Sequence, residues 1–305
     1  MALDNPLTNG SATLAAKDNS RQTLDHLPLD PGTRELLERL QAQGIDQTDL
    51  SSHLPKRLAA VLVLLYSHAG VLRVLLSTRS KLLRSHPGQT ALPGGRVDEG
   101  DKDAIETAFR EANEEVGLPF PSSLSTSDSA SLDASKTTAP DIHTLCTLSP
   151  HLSQWGIVVT PVIAYLSSPS AHEFLQSSLT ANPDEVDRIF THPLEAVLDP
   201  QIVAKEAEDG LVVLAERGTE DWPYEEEFYS TADRLYPDLG NTVYRMHRFR
   251  STASPIKGLT AEILIRVASI AFDRPPTPPI EQYAPDQIRG FAEMRDLMDK
   301  FGRIR

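Results

Sequence analysis

From Gly94 to Gly117 the chain reads Gly-Gly-Arg-Val-Asp-Glu-Gly-Asp-Lys-Asp-Ala-Ile-Glu-Thr-Ala-Phe-Arg-Glu-Ala-Asn-Glu-Glu-Val-Gly, a glycine turn followed by a run dense in acids. Glu111, Glu114 and Glu115 stand at the first, fourth and fifth places of a helical turn, where side chains are surface neighbours. Carboxylates so placed repel one another unless a cation neutralises them. With no Cys or His in the cluster, an oxygen-only donor set suits Mg2+ or Mn2+ better than zinc. A hard dication beside a glycine turn is equipment for phosphate chemistry. Acidic clusters on the outer face of an amphipathic helix are also common as solvated charge, and Glu114-Glu115 alone does not separate the two readings.

The elements that must position these groups follow from periodicity. Ile105, Ala108, Phe109, Ala112 and Val116 recur at steps of three and four, which predicts a helix with one apolar stripe for a core and the glutamates on the other side. Gly117 then stands where a left-handed C-cap is expected. Upstream, Leu58 to Tyr66 and Val71 to Ser77 read as a strand hairpin across His68-Ala69-Gly70. Asp141 to Leu148 and Trp155 to Leu166 also have strand character, and Pro161 in the second run suggests an edge or a bulge. A short helix is expected over 32–43 and an amphipathic one over 287–301, after a break at Pro275 to Pro279. Strands on both sides of a helix predict an α/β fold, a mixed β-sheet sandwiched between α-helices.

Charge is unevenly spread. The chain carries a formal net charge of -14, which argues against nucleic acid or an anionic membrane as the main partner. Yet no Asp or Glu occurs from Leu50 through Val97, a window holding Lys56, Arg57, Arg73, Arg79, Lys81, Arg84 and Arg96. A basic wall beside carboxylate-bound metal fits a small polyphosphate ester as substrate, because arginines pair with phosphate oxygens. Arg79, Arg84 and Arg96 are read as substrate-binding, and Arg73, on a strand, as a solvated surface charge. His86, next to Pro87-Gly88, either hydrogen-bonds phosphate or braces its loop. Gly94 and Gly95 permit close backbone approach to a substrate. The single cysteine, Cys146, excludes an internal disulfide, sits in an apolar run as a core residue, and fits a reducing compartment. No apolar run reaches membrane-spanning length. The start lacks the pattern of a secretory signal and the end is not a Ser-Lys-Leu address, so an intracellular protein is expected, whether cytoplasmic, peroxisomal or mitochondrial being left open.

The segment Arg110 to Leu118 closely resembles the Nudix box of nucleoside-diphosphate-linked hydrolases, G-x5-E-x7-R-E-U-x-E-E-x-G-U, where U is a bulky aliphatic. Three departures stand out: Gly95 lies one residue further from Arg110 than the box allows, Lys102 replaces its first acid, and Ala112 is small for its aliphatic position. The text from Leu76 through Arg79, Arg84, His86, Gly88-Gln89 and Pro93-Gly94-Gly95 to Asp98 and Asp101 resembles the coenzyme A diphosphatase branch, which carries the same extra residue. Asp98 or Asp101 would take over the structural task of the missing acid. Asn182 to Leu194 resembles the branch's segment after its last long strand, making Glu185 either an extra metal ligand or general base, or a loop charge or N-cap partner. Tyr244 to Phe249 and Ile256 to Leu264 resemble the closing strand and final helix, with Lys257 where the family often has tryptophan.

That resemblance implies a Nudix fold. It also implies Mg2+ or Mn2+ held by Glu111, Glu114 and Glu115, with Arg110 orienting them, and hydrolysis of coenzyme A or its acyl esters to 3',5'-ADP and 4'-phosphopantetheine or its acyl form. The alternatives are another nucleoside diphosphate derivative, an oxidised nucleotide, or a Nudix-like binding module without catalysis. An N-terminal extension over 1–50, a Nudix domain over 51–274 and a tail over 275–305 are expected. Insertions fall near 121–139, rich in Ser, Thr and Ala, and at 205–240, acidic and aromatic, with Trp222 and Tyr224.

Overall fold

The structure, a computed structural model, describes residues 24–121, 124 and 141–302. The polar start of the chain, most of the Ser/Thr/Ala-rich insertion and the last three residues lie outside the described residues. Helix α1 (Pro31–Gln41) opens on Asp30, whose side chain accepts the Thr33 N–H. The hairpin forms as expected: β1 (Leu58–His68) and β2 (Val71–Arg79) pair antiparallel with Ser67 opposite Leu72. Ala69 and Gly70 between them both have positive φ, 50° and 78°, the conformation a two-residue turn between twisted strands needs.

Strands β3 (Thr90–Ala91) and β4 (Gly94–Arg96) follow, then helix α2 (Ala104–Val116). Strand β5 (Asp141–Thr147), β6 (His151–Leu152), β7 (Val158–Ser167), helix α3 (Ala171–Ser177) and strand β8 (Val186–Pro193) complete the main sheet and its cover. The order is β3-β2-β1-β7-β5, with β4 beside β1, β6 beside β7 and β8 beside β2. Since β1 and β7 run parallel and the other pairs antiparallel, the sheet is mixed.

Alternation along β1 shows why both faces are covered. Val63 and Leu65 enter one apolar cluster with Leu37 and Leu40 of α1, while Leu62, Leu64 and Tyr66 enter another with Ala108, Phe109 and Val116 of α2. Period-two side chains on a strand buried on both faces require a helix layer on each side, so the expected sandwich is what the chain builds. Cys146 is fully buried, and burial pushes its thiol up to about 12.

Two expectations are corrected. The strand containing Pro161 is central, between β1 and β5, so of the edge and bulge readings the edge is ruled out; its pairing with β5 does carry a register shift, between Thr144 and Cys146. The proline is tolerated because its carbonyl accepts the Leu148 N–H where β5 gives way to β6, so its missing donor also faces that junction. Arg73 is not a solvated surface charge. Its Nη1 donates to Glu206 Oε1 at 2.6 Å and its Nε to Thr191 Oγ1 at 3.3 Å, beneath helix α4 (Gln201–Glu208).

A second sheet stands apart. Its order is β11-β10-β9, from β9 (Tyr229–Tyr236), β10 (Thr242–Phe249) and β11 (Ile256–Lys257), with helix α5 (Gly258–Ala271) following directly. Leu264 and Ala268 of α5 join the α1 side of the core. Arg245 grips Asp233 through two hydrogen bonds of 2.7 and 2.8 Å and Glu281 through one of 2.9 Å. That fork binds β10 to β9 and to the segment leading into helix α6 (Phe291–Lys300). No helix among the described residues is long and apolar enough to cross a membrane.

Arg73→Met should lower unfolding stability by about 3–5 kcal/mol, because it leaves the Glu206 carboxylate buried without its cation. Urea denaturation measures this, and a loss under about 1 kcal/mol would show that water reaches the pair.

Candidate active site

The site is built where α2 lies on β4. Strand β4 fills the notch beside the first half of β1, with Ala60 opposite Gly95 and Val61 opposite Gly94, while β2 occupies the second half. Gly94 has φ of 153°, and a Cβ there would stand 2.6 Å from the Val61 Cα. A Cβ on Gly95 would collide with the Glu111 carboxylate. Both glycines therefore leave room for neighbouring protein, Gly95 for a carboxylate of α2, in addition to any approach by substrate.

Helix α2 starts at Asp103, whose side chain accepts the Glu106 N–H at 2.9 Å, and ends at the left-handed Gly117. Glu115 does not share the solvent side with Glu114. It is buried, 5% exposed, and its Oε2 accepts the Gly94 N–H at 3.1 Å. The signal was present, since Glu115 stands seven places after Ala108 and three after Ala112, on the inward face. Burial pushes its carboxyl up to about 7, against the pull of the Gly94 N–H and Arg79; Glu111 and Glu185 add to the rise. Burial also raises Glu111, with Arg110 opposing and Glu114 and Glu185 adding.

Arg110 is the hub. Its Nε and Nη2 donate to the two oxygens of Asp101, each at 2.9 Å, and Nη2 also donates to the Arg96 carbonyl at 2.9 Å. Nη1 faces Glu111 Oε1 at 3.1 Å and Glu114 Oε2 at 3.2 Å. Asp101 also accepts the Asp98 N–H and the Thr107 hydroxyl, and Arg110 chiefly holds its carboxyl down at about 2. Of the two acids that could replace the missing glutamate, Asp101 makes the fork, whereas Asp98 is largely exposed and 4.0 Å from Nη1. Lys102 turns away, its Nζ 3.5 Å from Glu106.

The basic window does not form one wall. Arg79 comes within 3.8 Å of Glu115 Oε1, with its buried Nε lacking a partner. Lys81 pairs with Glu220, and Arg57 donates to the Trp155 carbonyl. Arg84 and Arg96 extend exposed side chains. His86 Nδ1 meets Gln89 Oε1 at 3.2 Å, bracing its own loop. An open cleft of about 1240 Å3 runs from Arg79, His86 and Gln89 past α6 to the second sheet. The glutamates lie outside its lining, and Arg79 joins the two regions. Glu185, just before β8, anchors its backbone carbonyl on the Ser80 N–H at 2.8 Å and acts electrostatically on both Glu111 and Glu115.

In this arrangement no group of three His, Cys, Asp or Glu among the described residues closes up to hold an ion. Glu115 is turned to Gly94, and Glu111 and Glu114 to Arg110. The donor set nevertheless fits a hard dication by its chemistry: carboxylates only, two of them held up by burial and by neighbouring carboxylates. A cation there would supply the charge compensation that the protein gives Glu111 and Glu115 only in part.

Two outcomes follow from this geometry. In chelator, the part of the stability that depends on Glu115 should fall as pH rises from 4.5 to about 7, since the folded chain keeps a proton on Glu115 that the unfolded chain has lost, while buried histidines such as His192 act in the opposite direction. The fall is on the order of 3 kcal/mol at most. Asp101 adds little there, and the stability of the wild-type chain relative to Glu115→Gln should fall across that window in paired denaturation curves, because Glu111 and the histidines contribute to both. At neutral pH, Asp101→Ala should cost about 2–3 kcal/mol and Asp98→Ala less than about 0.5 kcal/mol. Equal losses would disprove the assignment of the fork to Asp101.

Comparison with known proteins bears on the same region. Residues 56–210 match the model of the NUDIX domain. The chain is 32% identical over 222 residues to mitochondrial Nudix hydrolase 15 of Arabidopsis thaliana, covering 73% of this chain and 61% of that one. It is 29% identical to chloroplastic Nudix hydrolase 22 of the same plant, covering 86% and 66%. With a peroxisomal coenzyme A diphosphatase of Mus musculus it shares 32% identity, covering 50% and 53%. The chain thus spans between about half and two thirds of the length of these relatives. Its matched region carries the glycine turn, the Asp101–Arg110 fork and the glutamate helix together, and the chain belongs to the NUDIX domain family.

Proposed function

We propose that this chain hydrolyses the diphosphate bond of coenzyme A or acyl-coenzyme A, giving 3',5'-ADP and 4'-phosphopantetheine or its acyl form. The observation that carries the reading is the carboxylate helix seated on Gly94-Gly95 and joined through Arg79 to a cleft whose rim also holds His86 and Gln89. Those rim residues belong to the text that resembles the coenzyme A diphosphatase branch, and one relative bears that name. The cleft, at about 1240 Å3, has room for a ligand larger than a mononucleotide.

Glu111, Glu114 and Glu115 would hold Mg2+ or Mn2+, which when bound polarises phosphoryl oxygens and makes water a better nucleophile. Arg110, fixed by Asp101, sets the direction of Glu111 and Glu114 and is not a base, since its ion pairs raise its pKa further. Arg79 balances negative charge between Glu115 and the substrate diphosphate. The Glu185 side chain has no hydrogen bond or ion pair among the described residues, which leaves it free to accept a proton from the attacking water. Water oxygen bonds to one phosphorus, the bridging P–O bond breaks, and the two products leave as phosphate monoesters.

Purified protein given coenzyme A with Mg2+ or Mn2+ should release 3',5'-ADP, identified by chromatography. If it cleaves other dinucleotides in the same assay but never coenzyme A, the substrate choice is wrong. Glu114→Gln should lower kcat by about 100-fold or more with unchanged circular dichroism; retained turnover would remove Glu114 from the site.

A further inference from the structure

Beyond Arg79, the cleft reaches a pair of cations that nothing in the described structure neutralises. Arg248 of β10 and Lys257 of β11 are directly opposed across the second sheet, and both line the cleft. Like charges opposite one another destabilise a sheet, and neither side chain has an acidic partner among the described residues. Burial lowers the pKa of Lys257, and the charge acting on it is that of Arg248. The Arg248 guanidinium stacks 4.9 Å over the Tyr224 ring, which fixes its position without cancelling its charge.

The pair is tied to the strand that carries Arg79. Thr260, three residues after Lys257, donates its hydroxyl to the Thr90 carbonyl at 3.4 Å. Thr90 Oγ1 in turn bonds the Ser254 carbonyl at 2.7 Å, and Thr90 lies opposite Thr78, the residue before Arg79. The lining of one cleft therefore carries both Arg79 and the cation pair.

We propose that Arg248 and Lys257 form a subsite for a phosphate monoester on the substrate, separate from the diphosphate that is cleaved. This rests on the nucleotide substrate proposed above and adds which part of it the second sheet reads. A phosphate monoester brings a charge of about -1.5 to -2 at neutral pH and several acceptor oxygens, enough to bridge both side chains. The subsite would make the 3'-phosphate of an adenosine 3',5'-bisphosphate moiety a selected feature, and it gives Tyr224, from the acidic and aromatic insertion, the task of holding Arg248.

The test compares binding of 3',5'-ADP and 5'-AMP, which differ by that phosphate alone, to the full chain by calorimetry. The protein should prefer 3',5'-ADP by about 10-fold or more, Arg248→Met and Lys257→Met should each shrink the ratio toward one, and Lys257→Arg should keep it. A wild-type ratio near one, or a ratio that both methionine variants retain, overturns the subsite. The result is separable from turnover. A chain that cleaves coenzyme A yet binds the two nucleotides alike loses the subsite only, and one that discriminates between them without cleaving coenzyme A loses the proposed activity only.

Discussion

Glu115 accepts the Gly94 N–H at 3.1 Å from a buried helix position, and Gly95 lies where any side chain would strike the Glu111 carboxylate. That close approach of helix to bare backbone sets the rest of the site. It brings α2 against β4 on one face of the sheet, buries a carboxylate in surroundings that disfavour its charge, and leaves Glu114 at the solvent side of the same turn. The sheet makes the approach possible by dividing β1 between two partners, so that β4 occupies a notch that β2 has left.

The Asp101–Arg110 fork holds the loop before the helix to the helix itself. Two of its hydrogen bonds reach back nine residues, and a third takes the Arg96 carbonyl. A guanidinium offers donors in a rigid plane, so one residue can satisfy a loop carboxylate, a backbone carbonyl and two helix carboxylates together. The family pattern places an acid where this chain has Lys102. Here Asp101, the residue before Lys102, makes the fork with Arg110.

The second sheet and the C-terminal segment turn an edge into a cleft. Arg245 ties β9, β10 and the approach to α6 into one unit, and α5 joins that unit to the α1 side of the core. The second sheet thereby adds a cleft wall that carries Arg248 and Lys257, while the acidic insertion contributes Tyr224 beneath Arg248.

Periodicity and residue chemistry made the hairpin, the glutamate helix, its glycine cap and the α/β sandwich legible, because apolar spacing and turn residues act over a few positions of chain. The glutamate trio and its arginine were legible for the same reason. Tertiary packing decided which of those charges meet. It buried Arg73 against Glu206, more than a hundred residues away, sent Lys81 to Glu220, and turned Glu115 inward onto Gly94. It placed Pro161 in a central strand, at the junction between β5 and β6. Spacing along a chain specifies a local face, but the partner of a charge depends on which distant element that face is packed against.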